Sequence, residues 1–173
     1  MNKPLSKIFA RIHYAVGASL FFSGIARLHQ RLHEFAMREL QRSADLSYVK
    51  AQVLFGQLLK YRGATAYNKV ASIRYLRESA QSGSKDAQFM LAESLTDQTI
   101  IDSGNGYNAI SEGSNLTVFN NPVELYLLAA NAGHVMAALR LSKIYREGSY
   151  GEQVDIEKAN KWHAEFLKYG DQK

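Results

Sequence analysis

The sequence predicts an all-α fold, a right-handed αα-solenoid of about three to four helical hairpins. Three observations carry this. Apolar residues recur at intervals of three and four along most of the chain, which is helical and not strand periodicity. Blocks of the same layout return near every 36 residues, with two helical patterns in each interval. Alanine, glycine and serine recur where two helices must approach closely, and large apolar residues recur where the gap between hairpins must be filled.

The bulk composition narrows the function classes. The chain has 173 residues, 46% apolar and 21% charged, a soluble globular balance with enough length for a sizeable core. It has no cysteine, which removes disulfides, thiolate metal sites and a cysteine nucleophile. The net charge of +5 is lodged entirely in residues 1–42, where Lys3, Lys7, Arg11, Arg27, Arg31, Arg38 and Arg42 face only Glu34 and Glu39. A nucleic-acid reader would spread a basic stripe over its folded body, so nucleic acid is not expected among the partners. A basic start instead suits an anionic membrane surface.

The first element is ambiguous in sequence. Between Arg11 and Arg27 lie 15 uncharged residues. Residues 1–26 read as a signal sequence or membrane anchor, with a basic start and Gly24-Ile25-Ala26 as a small-x-small cleavage site. Against this, the run contains His13, Tyr14 and two serines, is shorter than the roughly 20 residues of a spanning helix, and is followed at once by Arg27 and Arg31. The other reading is a helical hairpin. Leu5, Ile8, Ile12, Val16 and Leu20 then form one packing stripe, Ser23-Gly24 the turn, and Ile25, Leu28, Leu32, Phe35 and Leu40 the facing stripe. Residues 27–170 form the repeat domain.

The repeats follow in order. Ala51, Phe55, Gly56 and Leu59 have the layout of Ala87, Leu91, Ala92 and Leu95, and of Ala137, Leu141, Ser142 and Tyr145. The first interval is 36 residues and the second 50, so the second carries an insertion, at about 98–120. The second helix recurs too: Tyr75-Leu76 precedes Ser79-Ala80 and Gly83 as Leu125-Tyr126 precedes Ala129-Ala130 and Gly133. Gly83 and Gly133 are placed to end helices in the left-handed conformation. Asn121-Pro122 is a helix start, an N-cap followed by proline at the first helical position. Gly148 and Gly151 break the next helix, and Asp155 stands as the N-cap of the last one, whose buried stripe is Ala159, Trp162 and Phe166.

The pattern A-x-x-x-L-G-x-x-Y, a Gly-bearing loop, D-x-x-K-A-x-x-W and a closing glycine resembles Sel1-like repeats, relatives of tetratricopeptide repeats. Ala137, Leu141, Tyr145, Gly148, Asp155, Lys158, Ala159, Trp162 and Gly170 carry it best. The unit from Ala51 to Gly83 keeps only Gly63 in its loop and has Tyr75 where the family has Trp; the middle unit departs most, through its insertion. The resemblance covers about residues 36–170. It implies a non-enzymatic scaffold or adaptor with a protein partner. In bacteria it also implies adaptors, envelope complexes and immunity proteins that neutralise secreted toxins.

Related helical-hairpin arrays bind on the concave face of their first helices. Carried over, that geometry exposes Lys50, Val53, Gln57 and Lys60 on one hairpin, Asp86, Phe89, Glu93 and Asp97 on the next, and Met136, Leu139, Lys143 and Arg146 on the last. An apolar residue (Val53, Phe89, Leu139) stands at each equivalent point, between charges that would set the register of a bound helix or peptide. The alternative is that these three pack against the following hairpin. Tyr107 and Phe119 of the insertion could add loop contacts. Asp102-Ser-Gly-Asn-Gly lacks the alternating oxygens and closing Glu of a calcium loop.

Catalytic and metal signals are weak. His29 and His33 are four apart beside Glu34, but two ligands are too few for zinc and the order is not H-E-x-x-H. Ser19 in G-A-S-L-F lacks the second glycine of a nucleophile elbow, and no phosphate-binding glycine motif occurs. No cofactor or metal is therefore expected. An enzyme using the insertion with His29, His33 or His134 is the rival from another class. A structural subunit of a membrane complex, held by residues 5–26, is the rival within the scaffold class. The expected location is the cell envelope, periplasmic or attached to an inner membrane, with the cytoplasm as the alternative.

Overall fold

The computed structural model describes residues 3–24, 28–62, 65–97 and 121–170. The described residues form eight α-helices and no strand: α1 (Lys3–Phe22), α2 (Gln30–Asp45), α3 (Val49–Arg62), α4 (Ala66–Gln81), α5 (Lys85–Leu95), α6 (Pro122–Asn131), α7 (Val135–Glu147) and α8 (Ile156–Gly170). They fall into two compact units, Met1–Ser82 and Gly83–Lys173. In the first, α1 packs on α2, α2 on α3 and α3 on α4; in the second, α5 packs on α6, α6 on α7 and α7 on α8. Each unit is thus two antiparallel hairpins of the expected all-α kind. The insertion at 98–120, with Tyr107 and Phe119, lies outside the described residues.

The helix ends follow local chemistry. Ser84 and Asn121 accept the amides of Ala87 (3.3 Å) and Val123 (2.9 Å) as N-caps. Asp155 accepts that of Lys158 at 2.9 Å, and this bond holds its carboxyl below the usual range. Gly83, Gly133 and Gly148 close their helices at φ +84°, +78° and +69°, in the left-handed region where a Cβ is strained.

In the first unit α1 and α2 form a hairpin, turned at Gly24 (φ +77°); Leu40 of the expected α2 stripe lies in the seam, but α1 meets it through a different face from the expected one. Leu5, Ile8, Ile12 and Val16 point outward, and Leu28 is 78% exposed. The buried face of α1 is Ala10, Gly17 and Ala18, set against Ala36, Leu40, Ser43 and Ala44 of α2. Small residues win because they let the two backbones approach. A Cβ on Gly17 would lie 2.9 Å from the Ala36 carbonyl oxygen and 2.9 Å from Leu40 Cγ. Ser43 Oγ donates to the Ala10 carbonyl at 2.7 Å, which satisfies a hydroxyl on that seam. Glu39, also buried, is met by His13 Nδ1 at 2.5 Å and by Arg42 Nη1 at 2.8 Å. No described helix is long and apolar enough to cross a membrane.

The repeated positions are the core. Ala51, Ala87 and Ala137 are fully buried, as are Leu91, Ala92 and Leu141. Gly56 repeats the close approach of Gly17: Ser72 Oγ donates to its carbonyl at 2.7 Å, and an added Cβ would meet Leu76 at 3.0 Å. Tyr75 is buried against Phe55, edge-on at 5.3 Å, and its hydroxyl donates to Asp45 at 2.6 Å. Burial first, and then that bond, push the phenol up to about 12. The last stripe is only partly as expected. Ala159 is buried, but Trp162 and Phe166 are half-buried on α8.

The contact at Gly17 is open to test. Helix propensity alone would make Gly17→Ala stabilising by up to about 1 kcal/mol. The backbone approach predicts the reverse, a loss of about 1–3 kcal/mol in urea unfolding.

Candidate functional site

Each unit carries part of the predicted face. In the first unit, Lys50 is exposed, while Val53, Gln57 and Lys60 are half-buried on α3. The Lys60 ammonium lies 5.7 Å from the Tyr61 ring centre. Lys50 lines a cleft of about 560 Å³ between the start of α1 and the turn from α2 to α3, shared with Lys7 and Arg11. Helix spacing alone did not pair Lys50 with those two, because they belong to different helices.

In the second unit the predicted residues of α5 turn out to be engaged with α6 and α7. Asp86 is exposed and stands 3.7 Å from His134 Nε2. Phe89 is half-buried, stacked on the His134 ring at 4.3 Å between centres and 22° between planes, with Tyr126 at 5.9 Å. It therefore lies against Tyr126 of its own hairpin and the His134 cap at the start of the next. Glu93 accepts both Arg140 Nε (2.8 Å) and Nη2 (3.0 Å), and also the Tyr126 hydroxyl (2.7 Å). Burial and that carboxylate push the Tyr126 phenol far up, and Glu93 raises the Arg140 guanidinium in turn. Glu93 is thus not an unmatched acidic charge awaiting a partner. Asp97 is half-buried at the end of this segment.

On α7 the pattern differs. Met136 is 45% exposed, Leu139 is half-buried, and Lys143 and Arg146 are exposed. Lys143 reaches Glu147 at 3.9 Å, a pair worth little on an open surface. A polar cleft of about 230 Å³ lies alongside, lined by Glu93, Tyr126, Arg140, Lys143, Glu147 and Tyr150 among others. It mixes both signs of charge, and its most buried groups are already hydrogen-bonded to one another.

Two residues carry roles that the sequence reading did not give them. Arg140 neutralises Glu93 across 47 positions, and nothing local announces it. His134 is the N-cap of α7: its Nδ1 accepts the Ala137 amide at 3.2 Å. A signal for this did exist, since His134 precedes the repeated Ala137 by three, as the capping Ser84 precedes Ala87. Capping through Nδ1 fixes the proton on Nε2, toward Asp86. The other histidines do not converge with it. His29 occupies the N-cap position of α2 without a side-chain cap bond, and the His33 ring lies 6.3 Å from that of Phe21. Among the described residues no group of three His, Asp or Glu could hold a metal ion.

Comparison with known proteins agrees with this architecture. No family model matches the chain. A stretch of 87 residues, 49% of the chain, is 38% identical to a putative Sel1-like repeat-containing protein of Acanthamoeba polyphaga mimivirus, of which it spans 13%. The fold matches the crystal structure of a Sel1 repeat protein from Oxalobacter formigenes with a TM-score of 0.64. That match has 19% identity and covers 92% of this chain and 58% of the other. A protective antigen present in uropathogenic Escherichia coli strains, displaying an SLR fold, gives a TM-score of 0.42 at 16% identity, over 92% of this chain and 38% of that one.

Two outcomes follow from the second unit. Burial is the main cause that lowers the His134 pKa, with Lys85 adding to it and Asp86 opposing. The folded chain therefore binds this proton less readily than the unfolded one. The stability His134 contributes is complete above the unfolded value of about 6.5 and is lost as pH falls through the lower folded value. The urea midpoint should fall as pH drops from 7 toward 5, and His134→Asn, which can cap without titrating, should flatten that fall. Glu93→Ala should lower stability by about 1–3 kcal/mol, since it strips the buried Tyr126 hydroxyl of its acceptor. A variant as stable as the parent would return Glu93 to the pool of partner-binding charges.

Proposed function

We infer that this chain, a Sel1-like repeat protein by its repeats and its fold, is a non-enzymatic adaptor that recognises a protein partner. Proteins of this repeat class are generally protein–protein interaction scaffolds. One observation carries the reading for this chain. On α7 the repeat-defining residues Ala137, Leu141 and Tyr145 are buried, while Met136, Lys143 and Arg146, which differ from their equivalents in the other copies, stand on the surface. The packing module uses its repeated residues inward and leaves the variable ones to a ligand. An apolar anchor flanked by two cations fits an acidic amphipathic segment. A preformed helical surface loses little entropy on binding such a segment.

Within this class we propose an immunity or adaptor role at the cell envelope, neutralising or positioning a secreted or membrane-associated protein. A second reading, an accessory subunit of a membrane complex that touches the bilayer through residues 5–26, has its own support. The outward face of α1 carries Leu5, Ile8, Phe9 and Ile12, each half-exposed.

The test uses the full chain. Isolation of its complex from native extracts should yield one stoichiometric protein partner. Met136→Asp combined with Lys143→Glu and Arg146→Glu should weaken that complex at least about 100-fold without shifting the thermal midpoint. Substrate turnover that disappears in His134→Ala, His29→Ala or His33→Ala would overturn the adaptor reading.

A further inference from the structure

We propose that the first unit carries a docking surface for anionic phospholipid, with the headgroup phosphate held by Lys7, Arg11 and Lys50 and the acyl region met by the outward stripe of α1. The proposal deepens the membrane-contact reading above and rests on it.

Two independent features of the unit meet at this place. The first is the cleft of about 560 Å³ at Lys7, Arg11 and Lys50, whose other lining residues, among them Ser47, Tyr48 and Val49, include no carboxylate. Lys7, Arg11 and Lys50 are exposed, and none of the three has an ion-pair partner among the described residues. Three cations gathered without an acid repel one another, and a phosphate relieves that repulsion. The second feature is the stripe of Leu5, Ile8, Phe9, Ile12 and Val16, all 39–54% exposed. These positions fall at steps of three and four on one side of α1, opposite Ala10 and Gly17, which pack on α2. Arg11, one turn from Ile8, borders the stripe, and Lys7, one turn before Arg11, lies between Arg11 and the side of Ala10.

Helix α1 is therefore apolar on two sides, with a basic seam between them and no acidic residue in its 20 positions. One side is covered by α2. A surface that presents phosphates above hydrocarbon matches the other side and its seam together. A second copy of the chain matches it poorly, since its own α1 would bring further positive charge and no acid. Since no described helix is long and apolar enough to cross a bilayer, α1 lies in the interface plane and does not span.

Flotation of the full chain with vesicles tests this. Vesicles of phosphatidylcholine containing about 30 mol % phosphatidylglycerol should carry the chain upward, and vesicles of phosphatidylcholine alone should not. Lys7→Gln, Arg11→Gln and Lys50→Gln together should lower partitioning roughly 100-fold. Ile8→Ser with Ile12→Ser should lower it at least about tenfold. All five side chains are exposed, so circular dichroism and the thermal midpoint should stay unchanged. The unmodified chain gives a check that needs no variant: its partitioning should fall steeply as salt is raised from about 0.05 to 0.5 M. Equal flotation with both vesicles would overturn the headgroup cleft while leaving a membrane contact through α1 standing. Flotation with neither would overturn both. Loss of binding on adding inorganic phosphate, but not chloride at equal ionic strength, would reassign the cleft to a free phosphate and overturn the lipid.

Discussion

Two helices can lie in close contact only where neither puts a large side chain between the backbones, and the first unit is organised by that distance. At Gly17 the space for a Cβ is already filled by the Ala36 carbonyl and Leu40; at Gly56 it is filled by Leu76. The seams so formed would strand polar groups, and serine resolves this. Ser43 and Ser72 each donate across the seam to a backbone carbonyl at 2.7 Å. The same demand explains why the repeated small position is Gly56, Ala92 or Ser142 and never a large residue. It also has a consequence at the surface. Once α1 turns Ala10, Gly17 and Ala18 toward α2, its larger stripe must face outward.

Carboxylates supply a second layer of order inside the units. Glu39 is shared by His13 and Arg42, Asp45 receives the Tyr75 hydroxyl, and Glu93 receives both Tyr126 and Arg140. In the second and third of these, a buried tyrosine of a second helix reaches an acid on an earlier helix. A phenol that is buried and bonded in this way fixes the rotation of its helix as apolar contact alone does not. Acids tied down for packing cannot also serve as free recognition charges. The function proposed here accordingly rests on Met136, Lys143 and Arg146, and the lipid contact on Lys7, Arg11 and Lys50.

The fold was legible in the sequence to the level of individual helix ends. Asn121, Asp155, Gly83, Gly133 and Gly148 do what their residue types suggest, because a cap or a left-handed glycine is decided within three or four residues. The buried repeat positions were legible because periodicity reports burial. The candidate site was less so. Phe89 and Glu93 have the spacing of surface residues on α5, and they are taken up by His134, Tyr126 and Arg140, residues 33 to 47 positions away. His134 lies between these cases, because its cap role could be inferred from its register with Ser84.

By itself, then, the sequence determined the hairpins, their caps and the inward set of alanines and leucines, because each is specified by short-range spacing and backbone conformation. Only the tertiary structure decided which of the two apolar sides of α1 is covered. It alone decided that Arg140 cancels Glu93, and that Lys50 joins Lys7 and Arg11 around one cleft. The reason is physical. Periodicity states that a helix has an apolar side, but the distance at which a distant helix can approach selects the side that is buried, and charges on separate helices become neighbours only after that approach is fixed.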